Sequence, residues 1–139
     1  MLVRCLYASR IKGPLTPALL SEILAQSRKN NPLRGITGLL CYTPDVFVQV
    51  LEGSREEVSK LLNGLMLDPR HTDVTVLVYE EITERRFSGW TMGQVNIDTV
   101  NPGLLLKYSS RPRLDPFSGS GQTVMSLLLE LIATGAIAG

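Results

Sequence analysis

The chain has 139 residues, 44% of them hydrophobic and 19% charged, with a formal net charge of +1. That is enough for one domain with a real hydrophobic core, and the composition excludes a disordered chain. The near-neutral charge implies no basic face, so direct binding of nucleic acid is not expected, and no apolar run approaches the roughly 20 residues that span a bilayer.

The start, MLVRCLYASR, lacks the long apolar core and small-residue cleavage site of a signal peptide, so a cytoplasmic location is expected. Residues 2 to 9 alternate and favour β structure, predicting a first strand. Leu2 and Leu6 face one way, and Val3, Cys5 and Tyr7 the other. Cys5 and Cys41 are far apart in strand-like runs and read as small buried hydrophobes. TPALLSEILAQSRKNNP predicts a helix with Thr16 as N-cap, Pro17 at the first position and Pro32 as its stop. Ile23, Ser27 and Asn30 or Asn31 recur at helical spacing on one of its faces. GITGLLCY and VFVQVLE predict a hairpin around the turn TPD.

Ser54, with Glu57 three residues on, forms a capping-box pattern. The helix it opens carries Val58, Leu61, Leu62 and Leu65 on its apolar face. DPRHTD reads as a loop holding the single histidine, His71. VTVLVYEEI predicts the next strand, TERRFSG a connection, and WTMGQV a short final strand on which Trp90 and Met92 share a face. The order β-α-β-β-α-β with an added fifth strand predicts an α+β, ferredoxin-like sheet with both helices on one face.

Val46, Val48 and Val50 line one face of VFVQVLE, and Phe47, Gln49 and Leu51 the other. Both faces are apolar, and two helices cover only one of them. Residues 95–139 hold two further helical stretches joined by the turn-rich SSRPRLDPFSGSG. This extension is expected to fold onto the open face or to dock on a partner there. The expected division is therefore a domain over 1–94 and a helical extension over 95–139, a cap or an output contact.

Gln49 is the residue that does not suit an apolar run. A buried amide without partners costs about 1 to 3 kcal/mol, so both its ends need hydrogen bonds. The Tyr7 hydroxyl can supply one, and Asn31 at the end of the first helix faces the same region. Two alternatives stand on this chemistry alone: a core Gln–Tyr bond that fixes strand register, or a polar floor beneath a small-molecule slot between the helices. A flat, polar-edged heterocycle suits such a slot, with Ile23 on one side and Leu65 on the other. RGITG lacks the spacing of a phosphate loop. No Cys, His or acidic cluster surrounds His71 in the sequence, so no metal site is expected, and one histidine assembles no Ser-His-Asp or Cys-His set.

Five separated motifs, LYASR, SRKNNPLRGITGLLCY, VFVQVLEG, DPRHTDV and RRFSGWTMG, together resemble the BLUF family of flavin-based blue-light sensors over about residues 1 to 93. The resemblance implies noncovalent FAD, with FMN as the alternative, and its isoalloxazine ring between the two helices. It implies that Tyr7 is the electron and proton donor and that Gln49 bonds both Tyr7 and the flavin edge. It makes Asn31 a contact of the flavin carbonyl edge, and Trp90 and Met92 the residues whose positions switch. Ser27, Asn30, Arg70 and His71 fall where family members contact the ring or its phosphate chain. The expected function is a photoreceptor, not an enzyme, that signals to a separate protein or through a homodimer contact. The alternatives are a light-independent ferredoxin-like module that binds a small molecule, and an acylphosphatase-type hydrolase. The hydrolase needs an anion loop that ASRIKGPL, with Arg10 and Gly13, does not present.

Overall fold

The computed structural model describes residues 1–138. In chain order the elements are β1 (Leu2–Ile11), α1 (Pro17–Arg34), β2 (Thr37–Tyr42), β3 (Val46–Ser54), α2 (Arg55–Met66), β4 (His71–Ile82) and β5 (Gly93–Asn96). A 3₁₀ turn (Ile97–Thr99), α3 (Pro102–Tyr108) and α4 (Gly121–Thr134) complete the chain. The sheet order is β4-β1-β3-β2-β5. All neighbours are antiparallel except β5, which runs parallel to β2. This is the expected ferredoxin-like α+β sheet with its fifth strand.

Strand alternation sorts the sheet into two apolar layers. On the α1/α2 side, Tyr7, Leu40, Phe47 and Leu51 pack with Leu24, Ile23, Leu61 and Leu65. On the other side, Leu6, Ala8, Leu39, Val48 and Val50 pack with Leu105, Val124, Leu127, Leu128 and Leu131 of α3 and α4. The extension therefore covers the second face. Its end also closes the sheet edge, because Gln94 N donates to Ala138 O (2.8 Å) and Ala138 N to Gln94 O (3.0 Å). Gly139 lies outside the described residues.

Both helix starts agree with the sequence. Thr16 Oγ1 accepts from Leu19 N (3.1 Å), and Ser54 Oγ from Glu57 N (3.2 Å). The structure differs at three places. Pro32 does not stop α1, which continues to Arg34. A proline this close to the end removes one intrahelical bond, and Gly35, left-handed at φ 65°, caps the turn with its N–H on the Asn31 and Pro32 carbonyls. Asn31 thus stays helical and buried. His71 is not in a loop but opens β4. The bulged pairing around Ala8/Arg10 and the left-handed Asp73 (φ 55°) break the alternation that would have marked its first residues as strand. Trp90 and Met92 do not lie on the last strand, which begins at Gly93, and they do not share a face. Trp90 packs with the α3/α4 layer and Met92 with the α1/α2 layer. Their side chains thus enter opposite layers of the sheet, and the Trp90 carbonyl is held by the Gly38 N–H (3.0 Å).

Candidate functional site

Tyr7 of β1 and Gln49 of β3 are directly paired, and alternation sends both side chains toward α1 and α2. They are 3% and 6% exposed. The Tyr7 hydroxyl donates to Gln49 Oε1. Gln49 Nε2 then donates to Met92 Sδ (3.2 Å), and a thioether is a weak acceptor. The second N–H of that amide has no bond among the described residues. Asn31, 2% exposed, donates from Nδ2 to Thr91 O (3.3 Å), while its Oδ1 receives no donor among the described residues. A buried, under-used carboxamide pair of this kind fits a ligand edge that both accepts and donates.

These groups floor a cavity of about 270 Å³. Ile23 on α1, Leu61 and Leu65 on α2, and Leu40 and Phe47 from the sheet form its apolar walls. Ser27, Asn30, Gln26, Arg34, Lys60, Gly64, Asp68, Arg70 and His71 complete the lining. A cavity near the lower end of ligand-site sizes suits a flat ring system, with any charged remainder at the rim beside Arg34 and Lys60. The donor set and shape fit the isoalloxazine expected from the sequence.

The cavity gathers Tyr7, Ile23, Ser27, Asn30, Asn31, Gln49, Leu65, Arg70 and His71 together. Trp90 and Met92 are not among its lining residues, although Met92 touches the floor through Gln49. Leu40, Phe47, Leu61, Gln26, Arg34, Lys60, Gly64 and Asp68 were missed. Gln26, Asn30 and Arg34 are four residues apart on α1, as Lys60 and Gly64 are on α2, so extending the helical spacing would have found several of them.

Two rim residues are already engaged. His71 Nε2 bonds the Leu65 carbonyl (2.8 Å), and Nδ1 lies 2.7 Å from Ser9 Oγ. Since only an N–H serves a carbonyl, Nε2 donates to Leu65, and the ring ties α2 to the sheet. Arg70 bonds Asp68 (2.6 Å) and Gln26 Oε1 (3.1 Å), linking the α2–β4 loop to α1 across the cleft. The hydrogen bond from Arg70 holds the Asp68 carboxyl below the usual carboxylate range.

Burial pushes the Tyr7 phenol far above its ordinary value, and the neighbouring Cys5 and Asp68 add to the shift. The unfolded phenol ionises near pH 10. Stability from a neutral buried Tyr7 is therefore complete below that pH and is lost as pH rises above it, because the unfolded chain gives up a proton that the folded one retains. Ultraviolet alkaline titration should show no tyrosinate from Tyr7 before unfolding, so wild type and Tyr7→Phe should superimpose up to that point. An extra ionisation in the folded wild type would contradict the burial of this phenol.

The model of one protein family, BLUF, described as sensors of blue light using FAD, matches residues 2–93. Among curated relatives, the photoactivated adenylate cyclase subunit beta of Euglena gracilis is 37% identical over 87 residues, covering 62% of this chain and 10% of that protein. The blue light- and temperature-regulated antirepressor BluF of Escherichia coli (strain K12) is 29% identical over 87 residues, covering 63% of this chain and 22% of that protein. The chain thus spans a tenth to about a fifth of the length of these relatives. Two solved structures are matched almost end to end. BlsA in its photo-activated state gives a TM-score of 0.84 at 32% identity, covering 95% of each chain. BlrB, a BLUF protein in its dark state, gives 0.82 at 32%, covering 96% of each. The Tyr7–Gln49 floor falls within the matched segment, and the chain belongs to the BLUF family, the sensors of blue light using FAD.

Proposed function

We propose that the cleft between α1 and α2 binds flavin noncovalently and that the protein reports blue light through the hydrogen bonds of Tyr7 and Gln49. The observation that carries this is the Tyr7–Gln49 bond at the floor of a cavity of flat-ring size, with the far side of the amide held only by a methionine sulfur.

When bound, the flavin supplies absorption of blue light and an acceptor for an electron and a proton. Tyr7 is the donor, because a phenol that loses an electron becomes a strong acid. Its proton already rests against Gln49 Oε1, which offers the path onward. Turning the carboxamide, or tautomerising it, exchanges the group presented on each side. After a turn, Oε1 would face Met92. A thioether cannot donate, so the Gln49–Met92 bond would be lost. That loss releases Met92 from the floor while Thr91 and Trp90 keep their bonds to Asn31 and Gly38, so the Met92 end of the segment 90–92 is the bistable element the response requires.

The segment leads directly to the extension. A methyl added at Gly93 would lie 2.7 Å from Ile137 Cγ2 and 3.0 Å from Trp90 Cδ1, so the three are in tight contact. We assign residues 1–94 to the sensor and 95–139 to an output element that changes its packing. Illumination should raise hydrogen exchange in 95–139, and unchanged exchange would count against this output route.

FAD is the proposed cofactor, with FMN as the alternative. One structural relative, Klebsiella pneumoniae BlrP1, is described in complex with FMN. It has a TM-score of 0.71 at 28% identity, covering 97% of this chain and 35% of that one. Chromatography of the flavin released from purified protein decides between them, and an absence of any flavin would defeat the proposal. Asn31→Ala should weaken flavin retention about tenfold, the effect of losing one or two ligand hydrogen bonds, as read by equilibrium titration of the apoprotein.

No helix among the described residues is long and apolar enough to cross a membrane. Cys5 and Cys41 are free and buried, which suits a reducing, cytoplasmic setting, and burial raises the Cys5 thiol to about 11. The proposed partner is a separate signalling protein or a second copy of the chain. The adenylate cyclase named in the Euglena relatives belongs to those longer proteins.

A further inference from the structure

Glu52 lies on β3 three residues beyond Gln49, and its side chain is fully buried. Alternation turns it to the face opposite Gln49, alongside Val46, Val48 and Val50. Its carboxylate is enclosed by donors. Arg4 Nε (2.9 Å), Arg4 NH2 (2.8 Å) and the Arg86 backbone N–H (3.1 Å) reach Oε2. The Phe87 N–H reaches Oε1 at 2.6 Å. Arg85 adds bonds to Thr37 Oγ1 (3.0 Å) and to the Glu52 carbonyl (3.3 Å). Residues 85–87 are thus pinned to β2 and β3. Phe87, fully buried, is set in the α3/α4 layer, and its carbonyl accepts from Trp90 N (3.3 Å).

A buried charge is costly, and an apolar pair of similar volume could hold the strands together as well. What an apolar residue cannot do is accept two consecutive backbone N–H groups and so fix the loop's register. From that anchor only four residues, 88–91, separate Phe87 from Met92, which reaches Gln49 on the opposite face.

We propose that Glu52 is a positioning residue for the light response: it anchors 85–87 as a fixed pivot, so that movement is confined to 88–92 and Met92 returns to one place against Gln49. This rests on the proposed flavin-sensor function. An Arg4–Glu52 pair that merely stiffens the sheet would predict no dependence on Met92.

The test compares dark recovery after a blue pulse in wild type, Glu52→Gln, Met92→Ala and the double variant, each carrying flavin. Glutamine keeps the shape but replaces one acceptor oxygen with a donor facing Arg4 or a backbone N–H. Glu52→Gln should change the recovery rate by about threefold or more when Met92 is present, and by much less in the Met92→Ala background. Equal factors in both backgrounds, or no change in either, would overturn the proposal. Should Glu52→Gln not fold, wild-type amide exchange decides: Arg86 and Phe87 should stay protected in dark and light, while 88–92 exchanges faster in light. Fast exchange of Arg86 and Phe87 in the dark, or exchange that rises with illumination, removes the pivot. A wild type with bound flavin and no photoresponse removes the sensor function itself, a result distinct from equal factors in a protein that does respond.

Discussion

Replacing Tyr7 with phenylalanine should leave a folded, yellow protein whose absorption no longer shifts under blue light. The ring keeps its packing against Phe47 and Leu40, and only the hydroxyl is lost. Gln49 Oε1 then loses its donor at a buried position, at a cost of about 1 to 3 kcal/mol in stability. The change in response should be far larger than the change in stability. Phenylalanine offers neither an easily oxidised phenol nor a proton to pass to the amide. Stability is measured by denaturant unfolding and the response by difference absorption. A Tyr7→Phe variant with a wild-type shift and recovery would show that the phenol has no part in the photochemistry.

The second large effect lies on the other side of the sheet. Leu131 of α4 is fully buried in the layer formed with Leu6, Val48 and Val50. Leu131→Ala should therefore cost about 2 to 5 kcal/mol, seen as a lower denaturant midpoint with an unchanged slope. Leu106→Ala, on the exposed side of α3, should change stability by no more than about 0.5 kcal/mol. If both leucines behaved like surface residues, the extension would not be packed on the sheet. The burial also bears on output. Complete release of α4 would expose a wide apolar face, so a small shift at Trp90, Gly93 and Ile137 is a cheaper response than detachment.

The strand and helix order was readable in the sequence because each element carries its own period: alternation in VFVQVLE, helical spacing in 54–67. The second apolar face of β3 foretold that something must cover it, and α3 and α4 do. Nine of the residues expected at the cofactor line one cavity. Seven of them rest on strand pairing and helix faces that local pattern fixes, whereas Arg70 and His71 follow from the family resemblance alone. What failed depends on loops. Trp90, Thr91 and Met92 look like an alternating strand, but residues 83–92 are shaped by distant bonds to Glu52, Thr37 and Gly38. The importance of Glu52 was not legible either. It ends the 46–48–50 face of β3, as anomalous there as Gln49 is on its own face. Its partner Arg4 lies directly across on β1, a pairing no local pattern reveals. Pro32 misled because a proline's effect depends on the residues after it, here the left-handed Gly35.

Difference spectroscopy of the purified protein tests the central claim most directly. The flavin-loaded protein, illuminated with blue light, should shift its visible absorption to longer wavelength and return in the dark, as a strengthened hydrogen bond to the ring edge requires. A colourless protein after flavin loading, or a yellow one whose spectrum stays fixed under blue light, would contradict it.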